Sequence, residues 1–230
     1  TDIICGGIGN VVVTTGGDNA ANVGASDGRN DDGFRGAIDL GFSINFFGQT
    51  YSQLWINNNG NVSFTAGIAA YVPEGPTGAN APVISPWFGD VDTRNAASGV
   101  THVRTDIANE LIVTWDNVGF YNSQSSALNS FQLVLRGSDY AIPVGEGSIG
   151  FFYKNMGWEV TDTSRVAAVG FGDGAGNSEV LEGSTLAGLN TIVTNHKLWF
   201  DVNLAPVAPS SVPEPASLAL FGLALAGLSA

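Results

Sequence analysis

Between Ile38 and Phe46 the chain alternates without a break: Ile38, Leu40, Phe42, Ile44 and Phe46 are apolar, and Asp39, Gly41, Ser43 and Asn45 separate them. A period of two places five apolar side chains on one face of an extended segment. Such a segment is satisfied only as a strand whose apolar face is covered by another layer. The rest of the chain repeats the theme. Leu54 and Ile56 lead through Asn57-Asn58-Asn59-Gly60 into Val62 and Phe64, and Asn-Gly between two apolar runs marks a hairpin because both residues tolerate positive φ. Leu111–Trp115, Phe131–Leu135, Ile149–Tyr153, Val166–Phe171 and Lys197–Val202 are rich in β-formers, and the 31 glycines and 9 prolines fall mostly between these runs. Before residue 205 the nearest thing to a helix is a turn or two over Ser184–Leu189. The expected fold is all-β, a two-sheet antiparallel sandwich with long loops. One loop stands out: Gly16–Gly33 carries Asp18, Asp27, Asp31 and Asp32 among glycines and asparagines, and is read as either floppy or held by a cation.

At 230 residues there is chain enough for one sizeable core. The formal net charge of −13 repels phosphate backbones, so nucleic acid is not an expected partner, whereas Ca²⁺ is a candidate cofactor. Cys5 is the single cysteine, so an intrachain disulfide is excluded; a small apolar packing role suits it best, with an intermolecular disulfide or thiol ligation as alternatives. The sequence opens at Thr1 with no basic-then-apolar leader and is read as a mature exported form.

From Ala205 the composition changes. Residues 205–215 form a Pro-rich extended linker, because proline fixes its own φ and restricts the residue before it. Residues 216–230 are then apolar but for Ser217 and Ser229. Leu218, Leu220, Phe221, Leu223, Leu225 and Leu228 would surround a short helix on every side, which water does not tolerate. Val212-Pro213-Glu214-Pro215 followed by this run resembles the PEP-CTERM sorting signal of Gram-negative bacteria. The resemblance implies export, membrane retention and processing by an exosortase, alongside exopolysaccharide or biofilm production. The closing arginine cluster of that family is missing here, and fifteen helical residues reach roughly 22 Å against about 30 Å of hydrocarbon. The tail is therefore expected to end up against a membrane or against neighbouring copies. The division expected is a sandwich over 1–204, a linker over 205–215 and an anchoring helix over 216–230.

The body carries a second resemblance. Phe46-Phe47-Gly48-Gln49-Thr50-Tyr51, then Leu54-Trp55-Ile56-Asn57-Asn58-Asn59-Gly60, then Val83-Ile84-Ser85-Pro86-Trp87-Phe88-Gly89-Asp90-Val91-Asp92-Thr93-Arg94, are similar in order and kind to the NIDO (nidogen-type extracellular) domain. Val113-Thr114-Trp115, Asn129-Ser130-Phe131-Gln132-Leu133 and Ala168-Val169-Gly170-Phe171 continue the match. It implies an extracellular adhesive or matrix module with no catalytic set to carry over.

The residues that could carry chemistry are few. Asp90 and Asp92 lie two apart, so in an extended segment both carboxylates face one way and need a cation, an arginine or N–H donors. Arg94 could supply the charge, or the pair could ligate Ca²⁺. Paired carboxylates also serve glycoside hydrolysis, but nothing else in the chain supports it. Asp173–Glu179 reads as a hairpin loop rather than an ion site. His102 and His196 stand without a Gly-x-Ser-x-Gly elbow or zinc-type spacing and read as strand residues. The five tryptophans could make a carbohydrate-stacking platform, but most sit inside apolar strand patterns, which favours core or sheet-face packing; Trp87 and Trp158, beside turn residues, are the better candidates for exposure. The expected function is non-enzymatic: a structural or adhesion protein of the bacterial surface or biofilm matrix, self-assembling into a homo-polymeric fibre through its tail. The alternative is a secreted protein that binds or hydrolyses matrix polysaccharide.

Overall fold

The computed structural model describes residues 7–73, 76, 79–161 and 164–208. Cys5, the Val212–Pro215 motif and the hydrophobic positions from Leu218 to Leu228 lie outside them.

The strands, in chain order, are β1 (Asn10–Val11), β2 (Gly16–Gly17), β3 (Gly33–Phe46), β4 (Gln49–Asn57), β5 (Asn61–Ser63), β6 (Val83–Phe88), β7 (Thr101–Ile107), β8 (Glu110–Phe120), β9 (Gln124–Arg136), β10 (Ile149–Met156), β11 (Ala168–Gly172), β12 (Ser178–Val180) and β13 (Lys197–Phe200). One short helix, α1 (Leu189–Val193), precedes β13. The strands make two antiparallel sheets, β1-β7-β8-β9-β10-β13 and β12-β11-β6-β5-β4-β3-β2. This is the sandwich that the alternation called for. In β3 the residues at Leu40, Ile44 and Phe46 are buried, Ile38 and Phe42 are half-buried, and Asp39, Gly41, Ser43 and Asn45 are exposed.

The core lies between the sheets. Trp87, Phe46, Leu54, Ile56, Ile84 and Phe171 of one sheet meet Trp115, Phe131, Phe151, Tyr153 and Leu111 of the other, all essentially inaccessible. Trp115 stacks on Phe131 at 5.0 Å between ring centroids, and Phe151 packs on both Phe171 and Phe200. Burying aromatics of this size supplies much of the stabilisation in the absence of an intrachain disulfide. The β6 strand is buried along its whole length even though it contains Pro86. A proline cannot donate to a ladder, and the pairing of β6 with β11 slips between Ala168 and Gly170 to accommodate it. The Pro86 carbonyl accepts a 2.7 Å hydrogen bond from the buried Tyr153 hydroxyl, and burial pushes that phenol's pKa well up.

Two expectations shift. The helix begins at Leu189 rather than covering Ser184–Leu189, because Gly188 (φ 95°) and Thr185 (φ 64°) take left-handed backbone that a right-handed helix cannot pass through. Pairing also runs past residue 204: Pro206 bridges to Phe200, and Val207 N–H donates to the Trp199 carbonyl at 2.8 Å. The chain thus leaves the sandwich along β13. Among the described residues no helix is long and apolar enough to cross a membrane.

Candidate functional site

The three-residue turn Asn58-Asn59-Gly60 joins β4 to β5, and Asn57 pairs with Asn61 across it. Gly60 takes φ 80°, and a Cβ there would fall 1.8 Å from the Trp87 carbonyl oxygen, so glycine is required. This turn lies against the two segments richest in aspartate. Asn58 N–H donates to Gly33 O at 2.8 Å, and Gly89 N–H donates to Asn59 O at 3.2 Å. The stretch before β3 is tied to the stretch after β6 by Thr93 N–H to Asn30 O, Asn30 N–H to Thr93 Oγ1 and a bridge between Asp31 and Asp92. A second bridge, Val91 to Phe120, crosses to the other sheet. Residues near positions 31, 59 and 91 therefore meet at one corner where the two sheets join.

The Gly16–Gly33 loop is held there by protein rather than left floppy. The Arg29 guanidinium donates to the carbonyls of Thr93, Asn95 and Ser98 at 2.7, 2.6 and 2.9 Å.

Asp90 and Asp92 go to different neighbours. Asp92, wholly buried, is clasped by Arg94: Nε donates to Oδ1 at 2.9 Å, Nη2 pairs with Oδ2, and the backbone N–H groups of Arg94 and Ser123 donate at 2.9 and 2.7 Å. Asp90, 1% exposed, instead groups with Asp31 and Asp32, and one oxygen from each of these three lies within 4.8 Å of the others. Asp92 is not in that group. Arg94 links the two arrangements, since its Nη2 also reaches Asp31 Oδ2 at 2.7 Å.

Burial pushes the Asp31 carboxyl up to about 7; the Asp32 and Asp92 charges add to the rise and Arg94 opposes it. Asp32 is raised as well, first by burial, with a 2.7 Å hydrogen bond from Asn59 Nδ2 pulling the other way. Arg94 is held above its ordinary value, chiefly by Asp92. Two buried oxygens at the corner, Asp31 Oδ1 and Asn59 Oδ1, have no hydrogen-bond partner among the described residues. The donor set is oxygen alone, which suits a hard divalent cation rather than a thiol-seeking metal.

A family model described as NIDO related matches residues 13–208. The chain belongs to the NIDO related family. A PEP-CTERM protein-sorting motif matches residues 211–230, immediately after it. Similar proteins include alpha-tectorin of Mus musculus, 29% identical over 164 residues, which covers 61% of this chain and 7% of that protein. Nidogen of Drosophila melanogaster is 26% identical over 123 residues, covering 43% of this chain and 9% of that protein. The chain thus spans less than a tenth of the length of these relatives. No solved structure matches it. The NIDO-related body and the sorting motif together make this a secreted, cell-surface-associated protein. The motif implies processing by an exosortase-type enzyme and membrane anchoring.

In this NIDO-related body the tryptophans do not form a platform. Trp87 is 0% exposed and Trp158 6%, the two packed edge to face at 6.3 Å, so the core packing favoured for the tryptophans extends to the two that were the better candidates for exposure. Adjacency to turn residues placed them at strand ends, but those ends point into the core. The Trp158 indole donates to Val118 O at 3.1 Å and the Trp115 indole to Asn58 O at 3.1 Å, so both are anchored inside. Asp173 organises the β11–β12 hairpin as expected, its carboxylate accepting from Ala175 N, Asn177 N and Asn177 Nδ2. His102 lies in β7, and His196 immediately precedes β13. Their Nδ1 atoms meet the Val100 and Thr194 carbonyls, each two residues away.

Four corner residues do not declare themselves as one site in the sequence. Asp31 and Asp32 lie in their loop with nothing local to join them to Asp90. Asn59 reads as a turn residue, and nothing local marks Arg29. The usable signal was the density of asparagine and aspartate in two distant segments, since buried polar groups need partners.

Proposed function

We propose that this chain is a non-enzymatic structural or adhesive module of the bacterial surface or extracellular matrix, working by contact rather than by chemistry. The observation that carries the reading is the adjacency of its two parts: a NIDO-related body ending at residue 208 and a sorting motif starting at 211. Chemistry-bearing side chains in the body are engaged in structure, the histidines by neighbouring carbonyls and Asp92 by Arg94. Trp87, Trp115, Trp158 and Trp199 are buried, which favours a display scaffold over a sugar cleft. Once tethered, copies of the body sit at high local concentration, and multivalent contacts with matrix polymer or one another then hold without individual strength. The tail is the element that joins copies into fibres, because its apolar surface must be covered by lipid or by like segments.

Negative-stain microscopy of sheared surface material, with the chain identified by antibody, tests this. The chain is expected in filaments or matrix aggregates. Monodisperse monomers with the tail intact and no detergent would refute assembly. Release of reducing sugar from matrix polysaccharide by the purified chain would refute the non-enzymatic reading.

A further inference from the structure

We infer that the corner formed by Asp31, Asp32, Asp90 and Asn59 is a Ca²⁺ site that ties the loop before β3 to the end of β6. The inference does not depend on the surface role proposed above.

Geometry comes first. Three carboxylates from two segments more than fifty residues apart each present an oxygen, all within 4.8 Å of one another. Oxygens that share one calcium lie about 2.3–2.6 Å from it, so two of them are at most about 5 Å apart. The spacing fits. Magnesium, at about 2.0–2.1 Å and with strict octahedral geometry, would need a tighter and more regular set.

The second observation is Asn59. Its side chain is fully buried, and its amide nitrogen donates to Asp32 Oδ1 at 2.7 Å and to the Ala70 carbonyl at 3.1 Å, which fixes which end is nitrogen and sets the carboxamide against the cluster. Its oxygen has no hydrogen-bond partner. Other buried asparagines in this body are satisfied at both ends. Asn57 gives to Asn61 and Ser63 and accepts from Ile68 N–H; Asn129 gives to the Trp158 carbonyl and accepts from its N–H; Asn30 gives to Thr14 and accepts from Asp31 N–H. A fold that satisfies these, yet leaves a neutral carbonyl oxygen bare on a buried carboxamide bonded to one of the three carboxylates, leaves an acceptor open to a cation. Asp31 Oδ1 is a second such oxygen, its partner Oδ2 being engaged by Arg94.

Charge points the same way. Asp31, Asp32 and Asp92 gather at a corner where, among the described residues, Arg94 pairs with Asp92 and Asp31. A divalent ion there offsets the mutual repulsion of these carboxylates. Three carboxylate oxygens, with the Asn59 carboxamide bonded to one of those carboxylates, leave room for water to complete a six- to eight-fold shell. With few protein ligands, affinity belongs to the weak range of extracellular modules, about 10⁻⁴–10⁻³ M.

The test uses the full chain in mild detergent, stripped with chelator, dialysed, and titrated with CaCl₂ or MgCl₂ by calorimetry and by thermal melting. One Ca²⁺ per chain is expected to bind saturably, and 10 mM Ca²⁺ should raise the melting temperature by about 3–10 °C. Equal Mg²⁺ should give under a third of that shift. Asp32→Asn is expected to weaken Ca²⁺ at least tenfold, whereas Asp173→Asn, in the other acidic loop, should leave it unchanged. Absence of saturable binding and of any melting shift at 10 mM Ca²⁺ in the unaltered chain would overturn the inference, and needs no variant to fold. So would binding that survives Asp32→Asn intact or disappears with Asp173→Asn.

Discussion

Replacing Arg94 by methionine removes the one guanidinium that clasps a wholly buried carboxylate while keeping most of the apolar stem. Its Nη2 lies 2.7 Å from Asp31 Oδ2 and also pairs with Asp92. At an effective dielectric of about 20, one such contact is worth about 6 kcal/mol of Coulomb energy before desolvation. The guanidinium's own desolvation is recovered in the variant, so the net cost is smaller. Breaking a buried pair typically costs about 3–5 kcal/mol, because the partner charge is left behind. Two features place Arg94→Met at the lower end. The arginine side chain is 27% exposed, so solvent already screens it. Asp92 also keeps the N–H donors of residue 94 and Ser123. About 3 kcal/mol is expected, or about 6–12 °C in melting temperature for a body of this size. Urea unfolding followed by tryptophan fluorescence reads it. Asp92→Asn should cost less in the Arg94→Met background than alone, with a coupling of about 2 kcal/mol. A loss below about 1 kcal/mol, or additive effects of the two substitutions, would show that the pair does not hold the corner together.

Gly60→Ala should destabilise by about 3 kcal/mol or more, since the new Cβ meets backbone at 1.8 Å in a left-handed conformation; Gly176→Ala, left-handed but with no atom within 4 Å, should cost only about 1 kcal/mol in the same urea assay. Asp173→Ala is expected to loosen the β11–β12 hairpin, seen as faster amide exchange at Ala175 and Asn177. The Asp173 carboxyl is held below its ordinary value, first by the Asn177 side chain, so its contribution is present above the unfolded value near 4 and is lost as pH falls through the folded one. Unaltered and Asp173→Ala chains should therefore converge in stability once pH falls below the lowered folded value, and a difference that persists in the fully protonated chain would contradict the assignment. Trp115→Phe should shift the fluorescence little in wavelength but release the Asn58 carbonyl, at a cost of about 1–2 kcal/mol.

The fold was legible because its signals are local. The alternation from Ile38 to Phe46 states both strand and buried face, and Asn59-Gly60 states the turn, each within a few residues. The corner was not, because its meaning lies between segments. Asp90 and Asp92 look alike along the chain, and only the approach of Arg94 to one and of Asp31 and Asp32 to the other separates them. Asn59 shows the same limit. As a turn residue it should face water, yet β6 and the loop before β3 close over it. Trp87 and Trp158 failed in the opposite sense: proximity to turn residues describes position along a strand, whereas exposure depends on which sheet lies opposite.

Surface retention tests the central claim most directly. Cells making the full chain are compared with cells making a chain that stops at Ala208, each fractionated into cytoplasm, envelope and medium, with the recovered protein melted. Both chains should fold alike and leave the cytoplasm, the full chain remaining with the envelope and the shortened one passing to the medium. Equal retention of the two at the envelope, or a full chain that stays in the cytoplasm, would contradict a secreted body held at the surface by its C-terminal signal.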